Sequence, residues 1–299
     1  MTLGYTGGEY LVQILTGLGS AAVLFLIASG LTLIFGALRI VNFAHGSLYM
    51  LGGYIAVSLA GTSIGYSNAT FWIVIILAAL AVAAGGAFLE VVFFRPIYRR
   101  PLLTQLLVTF SFVLIIQGIV RKFWGASGES TPVPGFLQGG VKIVAEQTLP
   151  KYQFFFMAIA VVVGFLLWAM LYKTGLGRMI RAAVSDPQLL GLSGVNVKLL
   201  FTGVFVLGSL LAGLAGAIVT MQGLQGPTVA ADAVVKAFVI IVIGGLGSLS
   251  GAAIAAVLVG LAEALGTFWV PQASLAVVFA VLVVVLAIRP QGLRGTRTA

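Results

Sequence analysis

The sequence predicts an all-α protein that crosses a membrane several times. Of its 299 residues, 61% are hydrophobic and only 8% are charged, and the mean hydropathy is +1.17. A soluble domain carries roughly 25% charged residues. Apolar runs of about 20 residues, the length of a membrane-spanning helix, recur along the chain. The basic residues fall in short stretches between these runs, a pattern typical of membrane topology and not of a nucleic-acid-binding face.

Several classes of protein are excluded or disfavoured by the composition. The chain has no cysteine, so disulfides and thiol chemistry are ruled out, and a single histidine, His45, argues against a histidine metal cluster. No P-loop, zinc-protease or strand–helix serine motif is present. We therefore expect no metal or cofactor bound by this chain and no enzymatic activity of its own. The first apolar run is too long for a signal peptide.

Eight apolar runs are long enough to span a bilayer. They cover residues 11–37, 41–61, 70–93, 102–120, 153–172, 199–221, 234–268 and 273–288. The seventh is longer than one span requires, and glycines interrupt it. We predict a single permease domain over residues 1–299, with about eight transmembrane segments and a broken or re-entrant element near Gly244–Ser248.

Topology follows from the placement of lysine and arginine, which favour the cytoplasmic side. Four stretches hold most of the 16 basic residues: Arg39; Arg95, Arg99 and Arg100; Lys173, Arg178, Arg181 and Lys198; and Arg289, Arg294 and Arg297. Placing all four in the cytoplasm puts the N-terminus outside and the C-terminus inside. Loop 121–152 is then external, and its Gly/Pro turns indicate a small hairpin. An even number of crossings is required between Lys198 and Arg289.

The longest polar interruption is residues 173–198, which we call the basic peg. Apolar residues between Arg178 and Val184 share one face of a short helix. Asp186 can cap a second helix, and Pro187 suits its first position. The sequence thus predicts a helix–turn–helix outside the bilayer. A strip that only contacts anionic lipid is the alternative, but lipid contact requires no capped second helix.

Two glycine-broken segments carry polar groups at membrane depth: Arg39–Tyr54 and Asp232–Glu263. Such groups are costly in lipid unless they face protein or a water-filled path. His45 is either a buried structural residue or a pathway group. Asp232 and Lys236, four residues apart, are predicted to pair on one helix face. Most of the glycines are expected to permit close helix packing.

Four stretches resemble the motifs of one family. Arg181, Ala182, Asp186, Gly194 and Asn196 fit the pattern R-A-x-x-x-D-x-x-x-A-x-x-x-G-I-N in the peg. Three further stretches agree in chain order: Asn42 to Gly46, continuing through Tyr49; Lys236 to Phe238 with Gly244 to Ser248, Gly251 and Glu263; and Arg289 to Leu293. From Asn42 to Leu293 the chain resembles the LivH-like permeases of branched-chain amino acid ABC importers. It departs from that pattern at Ser47, Leu190 and Val195, which replace Glu, Ala and Ile.

The resemblance implies a bacterial inner-membrane permease that acts with a second homologous permease, two ATP-binding subunits and an extracytoplasmic solute-binding protein. ATP and magnesium would bind the partner ATPases. It implies that residues 173–198 are a cytoplasmic coupling loop, with Arg181, Ala182, Asp186, Gly194 and Asn196 contacting the ATPase. Arg178, a cation of the same predicted helix, is a further candidate for this contact. Candidates for the substrate path are Asn42, His45, Gly46, Ser47, Tyr49, Lys236, Gly244, Gly245, Gly247, Ser248 and Glu263. The solute is a branched-chain amino acid or a related molecule such as urea, an amide or an aromatic acid.

Other classes stay open from the sequence alone. A secondary transporter or channel would use His45, Asp232 or Glu263 to carry protons. A membrane enzyme or a structural subunit is a third reading. Uptake that survives deletion of the ATPase and collapses with an uncoupler would favour the secondary transporter, and an unchanged uptake after removal of the chain would favour the third class.

Overall fold

The fold is described by a computed structural model covering residues 7–61, 67–144, 147–223, 225–270 and 274–295. Arg297, which the topology prediction used, lies outside the described residues. Within them the helices are α1 Gly7–Leu38, α2 Ala44–Ala60, α3 Asn68–Leu89, α4 Leu102–Trp124, α5 Lys151–Lys173, α6 Gly175–Ser185, α7 Pro187–Leu192, α8 Val197–Val219, α9 Val229–Gly244, α10 Leu249–Trp269 and α11 Ser274–Ile288. A two-stranded antiparallel hairpin, β1 Gly140–Val144 and β2 Gln147–Pro150, interrupts this pattern.

Every predicted apolar run contains at least one helix, which confirms the all-α polytopic membrane class. Six helices in the described ranges are long and apolar enough to cross a bilayer: α1, α3 with its extension to Ile97, α4, α5, α8 with its extension to Gln222, and α10. The helices α2, α9 and α11 are shorter. The seventh run divides into two helices, because α9 ends at Gly244 and α10 begins at Leu249. The number of spans stays a prediction.

The bundle has two distinguishable ends. At one end, Gly8 of α1 lies against Val144 of β1, and we call this the hairpin end. At the other, Arg39 just after α1 donates from Nη2 to the carbonyl oxygen of Val184 in the peg at 3.0 Å, and we call this the peg end. The hairpin lies in the loop where the glycines and prolines predicted one. Gly247, which precedes α10, lies against Gly36 near the end of α1, and the segment after α11 bonds to the end of α9 beside it. The start of α1 and the end of α11 therefore lie at opposite ends of the bundle.

The centre of the bundle is built around α1. Nearly all of its residues from Ala21 to Leu38 are buried, whereas α3, α4 and α5 expose large apolar side chains on one face. Glycines allow the closest approaches: Gly30 lies against Gly208 of α8, and Gly216 of α8 lies against the carbonyl of Tyr49. A side chain at these glycines would collide with backbone, so close helix packing is their role here.

The break between α9 and α10 lies at the peg end and is closed by the C-terminal segment. Gly245 and Gly247 have φ angles of 97° and 80°, which few other residues adopt. The carbonyls of Ile243 and Gly244, at the end of α9, accept from the backbone amides of Leu293 at 2.7 Å and Arg294 at 3.0 Å. The C-terminal segment thus supplies hydrogen bonds to the two carbonyl groups that have no helical partner at the glycine break. Backbone groups that are buried away from water require such partners.

Candidate functional site

A polar cavity of about 250 Å³ opens near the hairpin end, between α1, α2, α8, α9 and α10. Its charged wall is formed by α9 and α10. Lys236 Nζ lies 2.6 Å from Glu263 Oε1, and the two side chains are only 19% and 22% exposed. A carboxylate and an ammonium group at such low exposure are stabilised mainly by each other and by the charges of whatever enters the cavity.

The predicted pairing within α9 is wrong, because Lys236 pairs with Glu263 of α10. Asp232 lies one helical turn before Lys236 and lines the same cavity, but it is exposed. In the described part of the chain no hydrogen bond or ion pair engages its carboxylate. The cavity therefore presents two carboxylates and one ammonium group, with Asp232 available to a solute.

The wall that α1 forms is mainly aliphatic. Val23, Leu24 and Ile27 line it beside Ser20, and Val219 of α8 and Val229 of α9 add further apolar groups to the lining. Tyr49 of α2 and the side chains of Gln222 and Gln225 also line the cavity. A cavity with one charged and one aliphatic wall matches a small solute that has a charged head and an apolar side chain.

The segment that leads into α2 is buried and polar. His45 Nε2 lies 3.0 Å from the carbonyl oxygen of Ile27, and α1 continues to Leu38, so His45 lies about 16 Å inside the peg end at 1.5 Å per residue. Asn42, His45 and Ser47 are each fully buried. Both amide atoms of Asn42, Nδ1 of His45 and Oγ of Ser47 have no hydrogen-bond partner. Each such group costs about 1–3 kcal/mol, so a water molecule or a change of conformation is expected to engage them.

The predicted path residues therefore fall into three groups. Tyr49, Lys236 and Glu263 meet at the cavity. Asn42, His45, Gly46 and Ser47 are packed inside the bundle, with Gly46 against Ala230 of α9. Gly244, Gly245, Gly247 and Ser248 lie at the peg end, where Ser248 caps α10 by accepting from Gly251 N at 3.1 Å. That the substrate path passes the second and third of these groups stays a prediction.

The basic peg is the predicted pair of helices, α6 and α7. Thr174 caps α6 by accepting from Gly177 N at 3.1 Å. Asp186 caps α7 by accepting from the amides of Gln188 and Leu189 at 2.9 and 3.0 Å, and Pro187 occupies its first position. Ile180 and Ala183 are buried against the bundle, so the apolar face of α6 is the face that the sequence predicts.

The outer surface of the peg combines cations with exposed leucines. Arg178, Arg181 and Ala182 are exposed, and the Arg181 guanidinium lies 5.2 Å from the ring centre of Tyr172. Leu189 and Leu192 are 62% and 86% exposed. Leu190, by contrast, is partly buried against the core of its own chain.

The remaining predicted peg residues have structural roles. Gly194 has a φ of 84°, and Asn196 caps α8 by accepting from Leu199 N at 3.1 Å. Leu190, which departs from the family pattern, faces mainly inward, so Leu189 and Leu192 remain exposed on the peg.

A second charged cluster lies next to the peg. Glu90 and Arg95, five residues apart, form an ion pair in it, with Arg95 Nη2 2.9 Å from Glu90 Oε2. Tyr98 and Thr202 also donate to this fully buried carboxylate, each at 2.9 Å. Burial, with the Glu90 carboxylate beside it, raises the pKa of Tyr98, so its phenol remains a donor. Thr202 lies in α8, more than 100 residues after Glu90, and no feature of the sequence indicates its contact with that carboxylate.

A bundle of apolar helices, with a partly buried ion pair at a small polar cavity and a capped basic peg outside the bundle, fits a membrane transport permease. The chain belongs to the family described as branched-chain amino acid transport system, permease component, whose model matches residues 13–286.

Two branched-chain amino acid permeases agree with this assignment over nearly the whole chain, and a sugar permease matches a shorter part. The high-affinity branched-chain amino acid transport permease BraD of Pseudomonas aeruginosa is 31% identical over 296 residues, with 96% of each chain covered. The corresponding LivH of Salmonella typhimurium is 29% identical over 298 residues, again with 96% of each covered. A fructose import permease, FrcC of Rhizobium meliloti, is 34% identical over 102 residues, or 32% of this chain. Comparison with solved structures returned no match.

Proposed function

We propose that this chain is the membrane permease subunit of an ATP-driven importer that carries a branched-chain amino acid, or a related small amphipathic solute, into the cytoplasm. The observation that carries the proposal is the cavity in which Lys236, Glu263 and Asp232 face an aliphatic wall. The family of the chain and the names of its relatives support the same class of solute.

The charges of the cavity suit an amino-acid zwitterion. Its carboxylate would approach Lys236, and its ammonium group would approach Asp232, whose carboxylate has no partner in the described chain. The aliphatic side chain would lie on Val23, Leu24 and Ile27 of α1. Lys236 and Glu263 would then exchange part of their mutual attraction for contacts with the solute, which keeps every charge paired during passage.

The peg is suited to receive a separate motor. In the proposal the peg end faces the cytoplasm of a bacterial inner membrane, with the N-terminus outside and the C-terminus inside. Two ATP-hydrolysing subunits would contact Arg178 and Arg181 and the exposed Leu189 and Leu192, because exposed leucines beside cations are typical of a protein interface. A second permease and an external solute-binding protein complete the assembly.

Lys236→Met tests the solute site. With all partners in proteoliposomes, ATP-dependent uptake of leucine is expected to fall at least about tenfold, since a charged contact to the carboxylate is worth about 1.5–3 kcal/mol. Lys142→Met, in the exposed strand β1, is the matched control and should transport normally. Normal uptake by Lys236→Met, with the assembly intact, would contradict the proposed site.

Arg181→Glu tests the coupling role separately. We expect the assembled variant to lose ATP-dependent uptake, because the reversed charge at the exposed α6 surface opposes the partner contact. Arg289→Glu, which follows α11 outside the peg, serves as the control. Wild-type uptake in Arg181→Glu would remove this residue from the coupling contact.

A second candidate function is a proton-coupled secondary transporter or channel. It is favoured by His45, a fully buried imidazole whose Nδ1 has no partner, and by the unpaired carboxylate of Asp232 in the cavity. This candidate predicts uptake that persists without the ATP-hydrolysing subunits and is abolished by an uncoupler. The importer predicts the reverse result in both measurements.

A further inference from the structure

A large cavity lies at the peg end, between the peg and the rest of the bundle, and the proposed import cycle does not use it. Its volume is about 950 Å³. The end of α1, the turns after α3, the peg helices α6 and α7 and the start of α8 all line it. A molecule bound here would contact the peg and three parts of the bundle at once.

The lining of this cavity is strongly cationic. Arg39, Arg95, Arg99 and Lys198 line it, against the single acidic side chain of Glu90. Glu90 is already engaged by Arg95, with Nε 3.1 Å from Oε1 and Nη2 2.9 Å from Oε2. Three of the four cations are therefore not neutralised by the acid in the lining.

The three remaining cations are available to a ligand. Arg39 uses Nη2 to bind the carbonyl of Val184, which leaves its other N–H groups. Arg99 and Lys198 are exposed, and within the described ranges neither forms an ion pair with an acidic residue. The N-terminus of α8, from Asn196 to Lys198, also lines the cavity, and the partial positive charge of a helix N-terminus favours an anion.

The backbone conformation of Arg39 indicates that surrounding contacts hold this residue in place. Its φ angle is 55°, the only positive value at a non-glycine residue in the described chain. An arginine in this left-handed region is uncommon and persists where surrounding contacts hold it. The bond to Val184 provides such a contact and directs the guanidinium to the border of the cavity.

We propose that this cavity binds a phosphate-bearing anion, which holds the peg against the bundle. Arginine guanidinium groups match the oxygen geometry of phosphate, and basic pockets between membrane helices bind phosphate headgroups. The anion is the headgroup of an anionic phospholipid or a soluble phosphate, and the chemistry of the site is common to both. The site does not depend on which solute the chain transports.

Hydrogen exchange of the peg tests this proposal. The full-length chain is placed in nanodiscs of phosphatidylcholine, with or without phosphatidylglycerol, and the exchange of residues 175–192 is measured by mass spectrometry. Phosphatidylglycerol is expected to slow this exchange in the wild type. In the double variant Arg99→Gln with Lys198→Gln, half-maximal protection should require about 30-fold more phosphatidylglycerol, since each of the two surface cations usually contributes about fivefold.

A matched control removes the same charge elsewhere. Lys122→Gln with Lys142→Gln alters two exposed lysines near the hairpin end and should be protected like the wild type. If the Arg99/Lys198 variant is unstable, Arg99→Gln alone replaces it, with a smaller expected shift in the same direction.

The source of the phosphate is distinguished in a second arm. Inorganic phosphate is added to the phosphatidylcholine nanodiscs: protection identifies a soluble ligand, whereas protection by phosphatidylglycerol alone identifies a lipid headgroup. No protection by either probe, or equal protection in the Arg99/Lys198 variant, would overturn the proposal. Loss of ATPase-subunit binding in that variant, without any lipid or phosphate effect, would instead indicate an acidic protein segment.

Discussion

At the scale of single residues, the one charged side chain that is fully buried among the described residues, that of Glu90, is surrounded by partners. Glu90 is fully buried and receives donors from Arg95, Tyr98 and Thr202, so four hydrogen bonds satisfy its two oxygens. The Lys236–Glu263 pair, in contrast, borders a cavity and has an unpaired carboxylate beside it. The first arrangement suits a fixed joint between α3 and α8, and the second suits a site whose charges change partner.

Glu90→Gln should destabilise the fold. The amide retains the size of the side chain but leaves Arg95 without its ion-pair partner, and breaking a buried pair costs about 3 kcal/mol. We expect a lower thermal unfolding midpoint of the purified chain in detergent. Asp232→Asn, which removes an exposed and unpaired carboxylate, is the control and should unfold at the wild-type temperature. An unchanged midpoint for Glu90→Gln would show that this cluster is not a structural joint.

At the scale of elements, glycines decide how closely the helices approach. A Cβ on Gly216 of α8 would meet the carbonyl of Tyr49, and Gly208 of the same helix lies against Gly30. At Gly203, also in α8, an added Cβ would meet no atom within 4 Å. Glycines in one helix thus differ in function.

Gly216→Ala is expected to destabilise the protein by about 1–3 kcal/mol, because the added methyl group must displace the backbone of α2. Gly203→Ala is the matched control on the same helix and should be neutral or slightly stabilising, since alanine favours a helix. Thermal unfolding of both variants in the same detergent measures the difference. Equal midpoints would argue against tight packing of α2 on α8.

At the scale of the whole molecule, distant parts of the chain complete one another. The C-terminal segment closes the break between α9 and α10 through Leu293 and Arg294, and Arg294 also donates to Ser250 at 3.0 Å. Arg39 links the end of α1 to the peg in a similar way. The peg end is therefore held by contacts between segments that are far apart in sequence.

Truncation of the tail tests this closure. A chain that ends at Arg289 loses the two backbone bonds to Ile243 and Gly244, and a loss on the order of 2 kcal/mol is expected at about 1 kcal/mol per bond. A chain that ends at Gly295 keeps both bonds and is the control. The thermal midpoint should fall for the shorter chain alone, and a fall of equal size in both would contradict this role.

The sequence by itself determined the membrane class, the positions of the apolar helices, the glycine break at residues 244–248 and the cap at Asp186. These features depend on composition, hydrophobic run length and local hydrogen bonding, which neighbouring residues in the chain control. Only the tertiary structure decided that Lys236 pairs with Glu263, that Thr202 reaches Glu90 and that the tail fills the break. Such contacts join residues far apart in the chain, and helix packing, which local pattern does not specify, determines which of them meet.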